Sequence, residues 1–545
     1  MSKKKYLYSL ALTAFAVVSF IAISLNTGYN KNSETMAGEG DSVFAGVQLH
    51  EIRMQFSQPN FWDSLLFYYY QGLEQTMSCD VTVDGIAKSN SGVRMKGNSS
   101  FTHPNNKKPF KISFDEYVSG QKWNGLKSVS LGNCWNDPTF MREKLHLDIC
   151  RAAGIPAPRC NFAKLYINDS LYGLYSMVES VDKVFMSSRY GNNNGTYFKA
   201  VDGRDTGTQV YSDFRWYGCD STAFFDKYEN KTSSILASWR RLISNIDTLT
   251  HSSGLAATYP LITNTGSVYR AMAMDNMFGN FDAYMHSGRN FYVYFNTATS
   301  NKMEWIIWDV SLTFGAMPGT GISSPETLPV TYVIDTAQRP MLGRILYNTT
   351  LKNEYLLALC NLHKTYFNSA YLYPKIDSIA NIIRPAVQSD TRKMFTAQQF
   401  ETNIISDITV LGQRFPGLKS FVILRSNNIA TQLNSLGINC ETAIQPGVTE
   451  ISSNYELRQN YPNPFNPSTK ISYYVPRNSE ISLKIYSITG KEVAVLVNKQ
   501  TTGAGNYSIE WNGRDSNGGF ASSGVYICVL ETPHTKISRK MTLLK

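Results

Sequence analysis

M-E-W-I-I-W-D-V-S-L-T-F-G, residues Met303–Gly315, runs as an apolar strand that ends on a carboxylate. Asp309 stands behind Trp305, Ile306, Ile307 and Trp308. An acid in such company is costly unless it is paired, capped or bound to a metal. Upstream, D-N-M-F-G-N-F-D-A-Y-M-H-S-G-R-N (Asp275–Asn290) supplies a second acid, Asp282, with Asn290 after it. Phosphoryl transfer uses these residue types. One carboxylate orients the attacking hydroxyl, and oxygen ligands hold magnesium against the β- and γ-phosphates. A structural salt bridge uses the same acids, and spacing does not separate the two.

Working outward, R-M-K-G-N-S-S-F-T (Arg94–Thr102) leads into K-K-P-F-K-I-S-F-D (Lys107–Asp115). A turn of Gly97, Asn98 and Ser99 between strands offers N–H groups to phosphate, and Lys108 or Lys111 on the next strand neutralises it. A solvated hairpin has the same signature. Glu179 follows the apolar alternation L-Y-G-L-Y-S-M; it suits an ion pair with such a lysine, or a surface carboxylate. Other chemistries find little support. The seven histidines lack metal-ligand spacing, His286 alone lies close to Asp282, and neither G-x-S-x-G nor H-E-x-x-H occurs.

The region around these segments changes character along its length. Its first half is strand-rich, at Val81–Ile86, Gly92–Lys96, Pro109–Phe114 and Phe162–Ile167, with one helix expected over Arg142–Ala153 and stopped by Gly154. Its second half repeats apolar residues at helical spacing through Ser233–Ile246, Val268–Phe281, Lys352–Phe367, Lys375–Val387 and Leu418–Leu436. The expected fold is therefore α+β, a bilobal kinase-like body over residues 46–437 with a strand-rich N-lobe and a helical C-lobe. At 545 residues the chain needs more than one core. Its net charge of +10 suits acidic partners. Lys and Arg are scattered rather than massed, so nucleic-acid binding is not supported.

Together these pieces resemble the CotH protein kinase family. The likeness is carried by R-M-K-G-N-S-S, K-K-P-F-K-I-S-F, M-R-E-K-L-H-L-D-I-C-R-A-A-G-I-P-A-P-R, L-Y-I-N-D-S-L-Y-G-L-Y-S-M-V-E-S-V-D, N-F-D, N-F-Y-V-Y-F and W-D-V-S-L-T-F-G, in the family's order over about residues 45–435. The resemblance implies an atypical kinase that uses ATP and Mg2+ (or Mn2+) to phosphorylate Ser or Thr of a protein. It implies Asp282 as the catalytic-loop acid, Asp309 as the metal-binding acid and Asn290 as a second metal ligand. Lys108 or Lys111 becomes the phosphate-binding lysine with Glu179 as its partner, beside the turn Gly97, Asn98 and Ser99. Many relatives carry W-D-x-D where this chain has Ser311, which removes one carboxylate from the metal site that the resemblance implies. The other function class is a non-catalytic surface adhesin or matrix protein on the same scaffold, since a fold does not fix a function. The 33 tyrosines, Tyr68, Tyr69 and Tyr70 among them, suit such contacts.

The two ends give an address. Y-E-L-R-Q-N-Y-P-N-P-F-N-P-S-T-K-I-S-Y-Y-V-P (Tyr455–Pro476) precedes strands at Ile481–Ser487, Tyr507–Trp511 and Val525–Leu530 and a final basic strand. With Thr489-Gly490, Asn512-Gly513 and Asn517-Gly518 as turns, residues 454–545 are expected to form a small β-sandwich. That segment resembles the C-terminal sorting domain of the type IX secretion system, after a linker at 438–453. Lys3, Lys4 and Lys5 before an apolar run to Leu25 predict a signal peptide over 1–25, in a run long enough to act as an anchor if uncleaved. Residues 26–45 are polar and expected to be disordered. The implied location is the surface or exterior of a Gram-negative-type bacterium, reached through the periplasm, with no lasting membrane span. Eight cysteines without a CxxC pair fit either disulfides, with Cys134, Cys150 and Cys160 near one another, or buried thiols.

Overall fold

Seven strands of the first half place apolar side chains on one face, and that face is wrapped inward. They are β1 (Leu49–Gln55), β2 (Met77–Val83), β3 (Ile86–Met95), β4 (Phe110–Ser113), β5 (Ser128–Gly132), β6 (Cys160–Ile167) and β7 (Ser170–Glu179). In the computed structural model they form a closed barrel, β1-β2-β3-β4-β5-β7-β6. The seam is the parallel pairing of β1 with β6, and the other pairs are antiparallel. Val83, Val93, Phe110, Ile112, Leu131 and Met177 fill its interior. Closure leaves no free sheet edge. The described residues are 39–544 apart from 202–210, 233–234, 318–321, 323, 439–454, 458, 461, 476–478, 503–504 and 533–535. The expected signal peptide and nearly all of the linker lie outside them.

A second sheet follows, of β8 (Thr196–Ala200), β9 (Tyr228–Asn230), β10 (Phe291–Asn296) and β11 (Lys302–Ile307), in the order β11-β10-β8-β9. One face, with Phe198, Phe291 and Trp305, joins the helices in the largest apolar core. The other face presents Tyr197, Tyr292 and Ile306 to a smaller cluster. The helices expected from periodicity form at Ile235–His251, Thr265–Met277, Thr349–Tyr366, Ser369–Ser389 and Leu418–Ser435, and Arg142–Ala152 follows the barrel's fifth strand. The architecture is α+β, but a plain division into a strand lobe and a helical lobe does not describe it. The strand-rich half closes on itself, and a separate sheet belongs to the helical half. Residues 39–45 also depart from expectation, forming a short helix (Asp41–Phe44) whose Val43 and Phe44 are buried. Six cysteines, including Cys134, Cys150 and Cys160, are free thiols, while Cys360 is disulfide-bonded.

The chain divides into two compact units, one up to Thr442 and the other from Ala443. The second builds two sheets. Glu456–Leu457, Thr469–Val475 and Gly505–Trp511 form one; Ser479–Ser487, Glu492–Thr502, Gly524–Glu531 and Lys536–Leu543 form the other. Leu457, Val475, Leu483, Trp511 and Leu530 share one core. No helix among the described residues is long and apolar enough to cross a membrane.

One buried ion pair ties the barrel to the helical half. Lys107 Nζ donates to Asp390 Oδ2 at 2.7 Å, and both side chains are fully buried. The same oxygen accepts the Leu174 N–H of β7, and Oδ1 accepts the Arg392 N–H. Gly173 makes the approach possible, because a Cβ there would run into the Asp390 carboxyl. Lys107→Met leaves that carboxylate buried without its cation. It is expected to cost about 3–5 kcal/mol, read as a lower urea midpoint, with K107M/D390N recovering much of the loss. Equal stability of K107M and wild type would mean the pair holds nothing in place.

Candidate active site

The barrel's inner and outer residues alternate, so its outer wall follows from the register. Arg94 pairs across to Lys111, Lys111 to Ser130 and Ser130 to Val178, one rung on the outside. The next outward rung holds Lys96, whose N–H donates to Pro109 O, and Gly132 opposite Ser176. Lys96, Gly97, Ser100, Ser130, Gly132 and Ser176 line one side of a cleft, and Trp308, Asp309 and Ser311, just past β11, line the other. Gly97 sits at φ 87°, and a Cβ there would collide with Ser100 Oγ. Asn133 fixes that turn by donating to Ser100 O at 2.8 Å and Lys107 O at 2.7 Å.

Glu143 and Asp137 form the base. Asp137 receives the Arg142 N–H at 2.9 Å and so anchors the start of the helix Arg142–Ala152. That puts Glu143, in the helix's first turn, within the cleft, where its Oε2 accepts from Ser176 Oγ at 2.7 Å. Burial, and then the charge of Asp309, pushes the Glu143 carboxyl up to about 7, although Ser176 and Lys96 pull the other way. Burial lowers the Lys96 ammonium against the pull of Asp309 and Glu143. Its Nζ lies 5.7 Å from the centre of the Trp308 ring. The three charged groups feel one another in a single half-open cleft.

Asp309 is exposed, at φ 50°, with Ser311 Oγ 3.4 Å from its Oδ1. A left-handed non-glycine residue carries a cost of about 1–3 kcal/mol, and such strain gathers at working sites. The loop behind it is clamped: the fully buried Arg142 guanidinium donates to Thr313 O, Phe314 O, Asn403 Oδ1 and Pro416 O. Asp282 comes to the same end of the second sheet. Its Oδ2 and carbonyl each accept from Asn290 Nδ2 at 3.0 Å, and Arg289 pairs with its Oδ1. Asn290 directly precedes Phe291, which pairs with Ile307, two residues before Asp309. The strand register thus delivers both acids to the open end of one β-hairpin.

Among the residues expected from the sequence, Gly97 and Asp309 line the cleft, while Asn98, Ser99, Asp282 and Asn290 lie beyond its lining. The expected pairing of Lys108 or Lys111 with Glu179 is not formed. Glu179 shares the inward parity of Tyr175 and Met177, pairs with Val129 at the barrel's end, and is buried against Arg159 and Arg189. Lys111 faces outward, and Lys108 Nζ donates to Phe101 O and His103 O instead. His286 bonds Tyr332 OH at 2.7 Å. Lys96, Asp137 and Glu143 are the charged cleft residues that sequence reasoning passed over. Strand alternation at Val93 and Met95 was the available signal for Lys96. Among the described residues no three His, Cys, Asp or Glu side chains gather to hold a metal by themselves.

Residues 93–428 match the family model described as CotH kinase protein, and residues 459–543 match the secretion system C-terminal sorting domain. Inner spore coat protein H of Bacillus subtilis (strain 168) is 26% identical over 298 residues, 54% of this chain and 77% of that protein. Invasin CotH3 of Rhizopus delemar is 22% identical over 346 residues, 57% of this chain and 55% of the invasin. The chain thus spans little more than half the length of that invasin. A solved structure of PorZ, a surface component of the Porphyromonas gingivalis type IX secretion system, is 22% identical over 16% of this chain and 11% of that one, with a TM-score of 0.13.

The raised Glu143 carboxyl has a measurable consequence. Its native state keeps a proton that the unfolded chain, near the ordinary value of 4.5, has lost. The resulting stabilisation is complete below about pH 4.5 and drains away as the pH rises to about 7. Asp275, also raised to about 7 by burial, adds a decline of the same sign. Glu143→Gln is expected to flatten the fall of the urea midpoint between pH 4.5 and 7.5 without abolishing it. A slope identical to wild type would show that Glu143 is already ionised in the acid range.

Proposed function

Because the chain belongs to the CotH kinase protein family, and ends in a secretion-system sorting domain, we propose that it is a secreted or surface-displayed protein kinase. It transfers the γ-phosphate of ATP to a Ser or Thr hydroxyl of a protein. The observation that supports this most is the meeting of Lys96, Glu143 and Asp309 in one cleft beside the Gly97 turn, with Asp282 and Asn290 brought to the same hairpin end. Lys96, rather than Lys108 or Lys111, takes the nucleotide phosphates, and Glu143 steadies it. Asp282 orients the acceptor hydroxyl. Asp309, with Ser311 beside it and Asn290 nearby, holds a divalent cation that neutralises charge on the phosphates. One carboxylate suffices there because Mg2+ takes most of its remaining ligands from phosphate and water. Trp308 closes the cleft over Lys96.

A scaffold without catalysis is the second reading, and the name of the invasin among the relatives favours it. The two separate on the purified full-length protein. Mg-ATP is expected to raise its melting temperature, and labelled phosphate is expected to reach the protein itself or casein. Asp309→Ala and Lys96→Met should lose both effects. Asp282→Asn should keep the melting shift while transfer falls roughly 100- to 10,000-fold, the range for loss of a positioned acid–base group. Equal inertness of wild type and D309A with both Mg2+ and Mn2+ would hand the chain to the scaffold reading.

A further inference from the structure

Three half-buried lysines around the cleft, Lys96, Lys111 and Lys199, have ammonium groups that make no hydrogen bond or ion pair among the described residues. Ammonium groups removed from water without a counter-ion are unfavourable, and here they also repel one another. Burial lowers the Lys111 ammonium, and neighbouring Arg94 lowers it further. Lys199 sits opposite Tyr292 on the second sheet, on the sheet face that carries Trp308. It stands on the second sheet outside the cleft's lining, and its charge is felt at Lys96. Burial tends to raise the Glu74 carboxyl, yet Arg94, Lys231, Lys111 and Lys199 together hold it below its ordinary value. The geometry joins these cations: Arg94 faces Lys111 across β3 and β4, Lys199 and Lys231 both border Glu229 on β8 and β9, and Trp308 lies against both Lys96 and Tyr292, the cross-strand neighbour of Lys199.

The acids nearby do not cancel this field. Glu74 pairs with Arg94 at 2.8 Å, but its side chain is 75% exposed and free to yield to a ligand. Glu229 is paired with Lys231, but its side chain is 43% exposed and, like Glu74, can yield that cation to a ligand. Asp182 is committed to the Val184 and Phe185 N–H groups as a helix cap. Of the lysines, only Lys96 lines the cleft itself. Lys111 and Lys199 stand outside the lining, on the two walls, and remain for an anion other than the one bound within.

We infer that Arg94, Lys111, Lys199 and Lys231 form a docking track for an acidic acceptor polypeptide, with carboxylates flanking the hydroxyl that is brought to the cleft. This rests on the kinase reading for the hydroxyl's fate, but the binding does not. The chain's net charge of +10 favours the same class of partner.

The test uses the full-length protein and two fluorescent peptides of equal length around one serine, one Glu-rich and one Lys-rich. Anisotropy is expected to show at least tenfold tighter binding of the Glu-rich peptide, weakening as salt is added. Lys111→Glu with Lys199→Glu should erase that preference while the Mg-ATP melting shift persists, and Lys111→Met with Lys199→Met should remove most of it. Equal binding of both peptides by wild type, or an unchanged preference in the variants, would overturn the inference. So would loss of the ATP shift with peptide binding intact, since the lysines would then serve the nucleotide. Acidic-peptide binding without any ATP effect or transfer would leave the track standing and sink the kinase reading alone.

Discussion

Irregular backbone around a polar cleft has to be held by something other than a hydrogen-bond ladder, and here buried guanidinium groups hold it. Arg142 grips the loop after Asp309 through two carbonyls and reaches Asn403 and Pro416 on the far side. Arg339 donates to the carbonyls of Tyr284 and His286, in the short helix that follows Asp282 and Ala283. Arg425 joins Asn276 to Leu328. Each guanidinium has five donors in a rigid fork, which lets one side chain satisfy several carbonyls that no helix or strand can serve. Burying these charges is costly in isolation. Hydrogen bonds to a charged group contribute about 1.5–3 kcal/mol each, and the terminal nitrogens of Arg142 and Arg425 find such acceptors while their buried Nε atoms do not.

That demand explains why the charged cleft sits where it does. The hairpin of β10 and β11 ends in residues with left-handed backbone, Asn290 and Asp309, and strain of that kind persists only when the surroundings over-determine it. The clamps supply the constraint from below, and the barrel's outer wall supplies lysines from above. Ser311 beside Asp309 adds a hydroxyl and no negative charge to one side of this opposition. Glu143, neutral or ionised according to its surroundings, stands between the two sides.

Much of this was legible in the chain. Helical periodicity located the long helices, because their apolar faces pack on a single large core. The strand W-I-I-W and its terminal acid were placed correctly in kind, since Ile307 pairs with Phe291 and Asp309 follows at the strand's end. Alternation in β3 and β7 also held the information that separates Lys96 from Glu179, one outward and one inward. The motif K-K-P-F-K drew attention to lysines that do not line the cleft, because three of them lie within five residues and only the fold distributes them: Lys107 to the core, Lys108 to loop carbonyls and Lys111 to the outer wall. The closed barrel was not legible. Its closure depends on a pairing between distant strands, and no local pattern encodes which strand comes back to the first. The buried arginines were equally silent, since a single Arg in a helix looks like surface until its acceptors, up to 274 residues away, are known.

The parallel seam of the barrel has a kinetic side. Gln48 N–H meets Asn161 Oδ1 across 113 residues, while most other barrel contacts join neighbours in the chain. Contacts of such long range form late, after shorter loops have already lost their freedom. A chain that emerges from synthesis or translocation amino end first must therefore hold β1 paired on one side only, to β2, until β6 docks on its other edge and β7 joins β6 to β5 to complete the cylinder.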